Sequence, residues 1–321
     1  MQQEFSSQFA QQVEDTFVYV LGRRVHVVRA GAGRPLLLIH GLVGSSTNWR
    51  GNLTALARNA SVYAIDMVNM GESERVAGLD SSFAATAARI IACMDALGIA
   101  EADIAGHSHG GAVSLTLAAL YPERVRSLIL FAPANPFSRL SDPLVHFYNS
   151  ALGRRFARLV PNLPSCFHRF ALGRMYGDPA RIPDGCLEGY TDGLRVPGTV
   201  EHILSIVRGW YDEMAKLKDA LPRVASIPTL LLWGDRDRAV DHASAQDLHR
   251  ILRNSELRIV PGVGHVLFEE MPEESNRLML EWLDRDLASS SPCVAEQSCS
   301  AQRSRKLPHS AASATLIPSN S

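Results

Sequence analysis

The sequence predicts an α/β protein built on a mostly parallel sheet with helices on both faces, interrupted once by a helical insertion. Three observations carry this. Short apolar runs at residues 35–40, 62–66, 125–131 and 228–233 alternate with longer helix-like stretches, the pattern of strands buried on both faces and joined by right-handed helical crossovers. A Gly-x-Ser-x-Gly pattern at residues 106–110 stands where one such run, ending Asp103-Ile104-Ala105, gives way to the apolar, helix-like run 112–120. From 133 to 221 the rhythm stops. No strong strand is visible there, and helix-like pieces are punctuated by Pro136, Pro143, Pro161, Pro164, Pro179, Pro183 and Pro197.

Taken in order, residues 17–21 and 24–29, separated by Gly22 and Arg23, read as the two strands of a hairpin. The strand at 35–40 leads into the turn His40-Gly41-Leu42-Val43-Gly44, and a helix is expected over about 48–60. The strand at 62–66 ends in the loop 67–73. A helix over about 82–97 stops at Gly98, which stands where a glycine commonly follows a helix C-terminus. The Gly-x-Ser-x-Gly turn, its helix to Tyr121 and the strand 125–131 come next. After the insertion, the strand 228–233, a helix near 243–252, the strand 256–260 and an amphipathic helix over about 273–287 restore the alternation. The expected division is an N-terminal extension (1–14), a core in two parts (15–134 and 222–287) around the insertion (135–221), and a tail (288–321). That tail is rich in Ser and Ala, lacks periodicity and is expected to be disordered.

A chain of 321 residues, 46% hydrophobic and 20% charged, has the composition of a globular protein able to bury a core. Its formal net charge of −1 gives no electrostatic reason to bind nucleic acid or an anionic membrane. No apolar run approaches the roughly 20 residues that span a bilayer. The first fifteen residues lack the basic and apolar regions of a secretion signal, so the cytoplasm is the expected compartment. Five cysteines, an odd number without a Cys-x-x-Cys pair, read as free thiols in a reducing compartment. His107 and His109 flank Ser108, but no carboxylate or cysteine completes a ligand set with them; neither metal nor cofactor is expected.

A serine set on a tight strand-to-helix turn has its hydroxyl pushed out of the backbone, and glycines two residues before and after it let neighbouring chain come close. At a helix N-terminus, backbone N–H groups and the helix dipole favour negative charge beside it. A serine hydroxyl is a poor nucleophile unless a base removes its proton, and the base needs a partner that fixes its tautomer. In an α/β sheet such groups converge at the carboxyl ends of strands. Two later strands end suitably. One is followed by Gly234-Asp235-Arg236-Asp237-Arg238, the other by Pro261-Gly262-Val263-Gly264-His265. Either aspartate can serve as the acid on this reading. The order is serine, acid, histidine.

His40 to Gly44 (HGLVG), the elbow GHSHG, WGDRD at 233–237 and GVGH at 262–265 together resemble the α/β-hydrolase family over about residues 15–287. The resemblance implies a mostly parallel eight-stranded sheet with helices on both faces and a helical lid insertion. It implies Ser108 as nucleophile, His265 as general base and acid, and Asp237, three residues after the strand-ending glycine, as the orienting acid. Asp235 is then a loop-capping residue. It also implies an oxyanion hole from the backbone N–H groups of Leu42 and His109. His40 is expected to hold the oxyanion loop, His107 to be a packed, hydrogen-bonded side chain, and the His109 ring to line the acyl pocket. Ala132, Pro133, Ala134 and Asn135 follow the strand 125–131, where some members carry the acid, and none of them is one, which closes that route. Val68 and Asn69 depart from the Pro or Gly common in the family's loop after Asp66.

The expected activity is a serine hydrolase acting on a carboxylic ester or thioester through an acyl-enzyme on Ser108. The alternatives with the same triad are carbon–carbon hydrolysis of diketones and acyl transfer; a non-hydrolytic ligand-binding member is the alternative of another class. Seven arginines (Arg139, Arg154, Arg155, Arg158, Arg169, Arg174, Arg181) against Asp142 and Asp178 make the insertion basic. They read either as a solvated face with packed stems or as a site for an anionic substrate group or acyl carrier.

Overall fold

The computed structural model describes residues 13–290. Eight strands, β1 Val13–Val20, β2 Arg23–Ala30, β3 Arg34–Ile39, β4 Ala60–Ile65, β5 Ala102–His107, β6 Val125–Phe131, β7 Thr229–Gly234 and β8 Ser255–Val260, form one sheet in the order β1-β2-β4-β3-β5-β6-β7-β8. β1 and β2 make an antiparallel hairpin, β2 meets β4 antiparallel, and every later pair is parallel. The hairpin begins at Val13. Residues 1–12 of the expected extension and 291–321 of the expected tail lie outside the described residues.

The central strands read as unbroken apolar runs because both faces are covered. Leu37 and Ile39 of β3 enter one buried cluster, and Leu36 and Leu38 the other. β6 divides the same way, Leu128 and Leu130 against Ile129 and Phe131. The helix α2, Phe83–Ala96, starts where the Ser82 side chain accepts from the Ala85 N–H at 3.2 Å. It ends before Gly98, which has φ +70°.

The helix expected over 48–60 is a 3-10 turn, Ser46–Trp49, followed by a single short helix, α1 Leu53–Leu56. Tertiary contacts override helical propensity here. Trp49 is fully buried and stacked on Phe268 at 4.1 Å, and the Asn52 side chain bonds Asn276 and Ser275. α3, His109–Leu120, leaves the Gly-x-Ser-x-Gly turn and is buried almost all round.

Between β6 and β7 the described residues form helices and no strand: α4 Asp142–Asn149, α5 Ala151–Leu159, α6 Ser165–Gly173, α7 Cys186–Arg195 and α8 Thr199–Ala220. α8 anchors this insertion. Its Ile206, Met214 and Leu217 enter the larger core cluster, and Glu213 Oε2 accepts the N–H of Phe83 at 2.7 Å, where a carboxylate satisfies an orphan donor and complements the helix dipole. The chain closes with α9 Ala243–Ile251, α10 Leu267–Glu270 and α11 Pro272–Ser290. No helix among the described residues is long and apolar enough to cross a membrane.

Candidate active site

Ser108 links β5 to α3 with φ +51° and ψ −117°, a region that non-glycine residues avoid and that persists only where surroundings over-determine it. They do so here. The Ser108 N–H donates to Phe131 O at 3.0 Å, and the Ser108 carbonyl accepts from Ala112 N at 3.1 Å and Ala134 N at 2.9 Å. A Cβ on Gly106 would lie 2.5 Å from Ser114 Oγ, and one on Gly110 would lie 2.6 Å from Ile39 O. The two glycines of the pattern therefore let α3 seat against β5 and the end of β3. Gly110→Ala should cost about 1–3 kcal/mol, because backbone carbonyls cannot step aside. The check is thermal unfolding, and an unchanged Tm would refute this account of the pattern.

After β7 the chain turns so that the Asp237 carboxylate is completely buried. Its Oδ1 accepts from Ala239 N at 2.7 Å and Val240 N at 3.0 Å, and its Oδ2 accepts from His265 Nδ1 at 2.8 Å. An ionised carboxylate only accepts, so the hydrogen sits on His265 Nδ1 and Nε2 keeps its lone pair. Asp235 instead caps the neighbouring turn, its Oδ1 accepting the Gly262 N–H at 2.7 Å. Asn135 is used structurally, donating to Pro133 O and Ser244 Oγ. The β5 and β8 ends meet through His107, whose Nε2 donates to His265 O at 3.1 Å with the two rings 4.6 Å apart.

The turn after β3 comes up against the elbow. A Cβ on Gly41 would sit 2.7 Å from His107 Nδ1 and 3.3 Å from Ser108 Cβ, so only glycine allows this approach, and Leu42 follows it directly. His40 holds the turn in place. Its Nε2 accepts the Met67 N–H at 3.1 Å and its Nδ1 donates to Gly41 O at 2.8 Å, a neutral tautomer consistent with a pKa lowered by complete burial. Burial, and then the neighbouring His265, push His107 well below the ordinary histidine value. His109 is lowered to about 3, chiefly by burial. Its ring lies edge-on to Phe83 at 5.4 Å, and neither ring nitrogen has a hydrogen-bond partner. Asn69, one of the two departures in the loop after β4, has φ +73°, a conformation that asparagine tolerates where other side chains strain.

Two groups of residues escaped the sequence reading. Asp66 gathers that loop, accepting from Ser46 N, Glu72 N and His26 Nδ1; the hydrogen bond to Asp66 raises the His26 pKa against burial. Glu269 and Glu270, just beyond His265, are both buried. Glu270 accepts from Gly264 N, Gly177 N and Asp178 N at 2.8–2.9 Å. Glu269 accepts from Asn48 Nδ2, Tyr176 OH, Tyr190 OH and Cys186 Sγ, and burial raises its pKa. His265 N donates to Met175 O at 2.6 Å. The insertion and the histidine loop are thus joined by buried hydrogen bonds. The only available signal was a Glu-Glu pair inside an apolar stretch.

A family model described as the alpha/beta hydrolase fold matches residues 34–272. The chain is 31% identical over 254 residues to a dihydrolipoyllysine-residue acetyltransferase component of an acetoin cleaving system from Pseudomonas putida, covering 78% of this chain and 64% of that protein. It is 29% identical over 260 residues to a 2-hydroxy-6-oxo-2,4-heptadienoate hydrolase, also from Pseudomonas putida (strain F1), covering 79% of this chain and 90% of that one. A solved structure of a meta-cleavage product hydrolase from Pseudomonas fluorescens IP01 superposes with a TM-score of 0.71 at 24% identity, covering 84% of this chain and 97% of that one.

Proposed function

The chain belongs to the α/β-hydrolase fold family, and from that premise we propose that it is a serine hydrolase that cleaves a carboxylic ester or thioester through an acyl-enzyme on Ser108. The observation that carries this is the buried 2.8 Å bond from His265 Nδ1 to Asp237, on a chain whose serine occupies a strained elbow. Ser108 Oγ attacks the carbonyl carbon while His265 Nε2 takes its proton. The backbone N–H groups of Leu42 and His109 hold the oxyanion, each such donor being worth about 10²–10³ in rate. The tetrahedral adduct collapses, and the leaving alcohol or thiol receives the proton from His265. Water then attacks the acyl-serine by the same route and releases the acid. The helical insertion acts as the lid, and the free thiols Cys93, Cys166 and Cys186 support a cytoplasmic enzyme. An acyl carrier as the thioester donor is supported by the basic insertion and by the name of the acetyltransferase relative.

Carbon–carbon hydrolysis of a vinylogous diketone is the second reading, favoured by the relative named a heptadienoate hydrolase, of which this chain covers 90%. The same serine, base and oxyanion donors would serve. A fluorophosphonate probe should label Ser108, and Ser108→Ala should abolish both labelling and hydrolysis of short p-nitrophenyl esters. Absence of labelling in the unmodified protein would reject both readings. A panel of esters, acyl-thioesters and vinylogous diketones then separates them.

A further inference from the structure

A cavity of about 580 Å³ opens between the loop after β4 and the helices α5 and α8, away from the catalytic residues. Its charged lining is one-sided. Arg75, Arg158 and Arg208 contribute three guanidinium groups, and Glu201 the one carboxylate. Glu201 is already engaged by Arg158 Nε at 3.3 Å. Arg75 is held at the rim by Thr199 Oγ1 and by the carbonyls of Met70, Gly71 and Ser73, which take four of its five N–H groups, and the Asp66 charge acts on it from behind the loop. Arg208 is exposed and forms no ion pair among the described residues. His202, on α8, also lines the cavity. It is only 8% exposed, and its ring nitrogens, which have no hydrogen-bond partner among the described residues, are open to the cavity. A ligand in the cavity can therefore reach them without displacing a protein hydrogen bond.

We propose that this cavity is a binding site for a small organic molecule bearing a carboxylate or phosphate, held by the Arg208 guanidinium with a hydrogen bond to His202 and the positive charge of Arg75 beside it. Arginine suits such anions because its fork of donors matches their oxygens. A cavity of this size admits a metabolite-sized ligand rather than a bare ion. In its empty state His202 is neutral, burial and the nearby Arg89 and Arg75 charges lowering its pKa to about 4. It can therefore donate one N–H without adding a charge. The ligand is either the distal end of the substrate or a separate small anion. The site itself stands on the cavity, and only the first of those assignments rests on the hydrolase reading above.

The test uses glutarate and inorganic phosphate as probes, with binding to the full chain measured by titration calorimetry and by the rise in Tm that a native-state ligand produces. Binding of at least one probe at about millimolar concentration is expected, weakened at least about tenfold in Arg208→Ala. His202→Gln, which keeps a hydrogen-bond donor, should weaken it less than His202→Ala. No binding of either probe, or equal binding by Arg208→Ala, overturns the site. Competition between glutarate and a neutral p-nitrophenyl ester upholds the site as the substrate's distal pocket; binding without competition upholds it as the seat of a separate anion. A protein labelled at Ser108 that binds neither probe loses this site and keeps its proposed activity. One that binds a probe yet hydrolyses nothing does the reverse.

Discussion

Asp237→Asn should lower kcat on an ester substrate by about 10⁴-fold, while Asp235→Asn should stay within a few-fold of the unmodified protein. The size of the first effect follows from which oxygen does what. Asp237 Oδ1 accepts two backbone N–H groups, from Ala239 and Val240, so in the asparagine variant that position must remain the carbonyl oxygen. The new NH₂ then takes the place of Oδ2 and faces His265 Nδ1. Two donors cannot pair, so the imidazole must move its hydrogen to Nε2 and present Nδ1 as the acceptor. In the proposed mechanism Nε2 takes the proton from Ser108, and in this tautomer it has no lone pair to do so. Among the described residues the Asp235 side chain bonds only the Gly262 N–H, and an asparagine there would still accept that bond. Steady-state kinetics with both variants decide the matter; comparable losses, or the larger loss in Asp235→Asn, would overturn the assignment of the acid.

Acidification from pH 7 to pH 5 should destabilise the fold steeply. Four buried histidines, His40, His107, His109 and His202, have folded-state pKa values below the ordinary 6.5, in each case mainly through burial. In the unfolded chain they protonate near 6.5 and in the folded chain they resist, so the unfolded state binds more protons below that pH and stability falls as pH falls. Each contributes up to about 1.4 kcal/mol per pH unit between pH 6.5 and its own folded value, about 4 for His202 and about 3 for His109. His26, raised chiefly by its hydrogen bond to Asp66, works in another window: its contribution is complete below 6.5 and disappears as pH rises through its folded value. Glu269, raised by burial, opposes the histidines in the window between the ordinary 4.5 and its own folded value. Denaturant unfolding at pH 7 and pH 5 measures the slope, and His109→Gln should flatten it. Equal unfolding free energies at the two pH values would show that these imidazoles are not held neutral.

What could be read from the chain alone was whatever is local or periodic. The strands β3, β4, β6 and β7 announced themselves because both faces are covered, and α2 because Gly98 stands at its end. The elbow was legible because its two glycines are steric requirements written at fixed offsets from Ser108. Asp237 could be separated from Asp235 only by resemblance, since both lie in one turn and differ in the direction of a side chain. The Asp66 and Glu269 networks were invisible for a different reason. Most of their links join residues from 20 to more than 200 positions apart, and a buried carboxylate looks like any other until its donors are known. The helix expected over 48–60 failed for the same cause: Trp49 and Asn52 answer to Phe268 and Asn276, not to their neighbours in sequence.

The carboxylates of Glu269 and Glu270 also bear on how far the insertion behaves as an exchangeable part. A chimaera that imported a foreign segment in place of residues 175–190 would remove Tyr176, Cys186 and Tyr190 from Glu269, and would change the two peptide N–H groups that Glu270 receives from 177 and 178. Buried charge stripped of its partners costs several kcal/mol, and here the deficit would fall four and five residues beyond His265. Grafting must therefore either carry those donors with it or break the segment before residue 175, leaving the portion that contacts the histidine loop native.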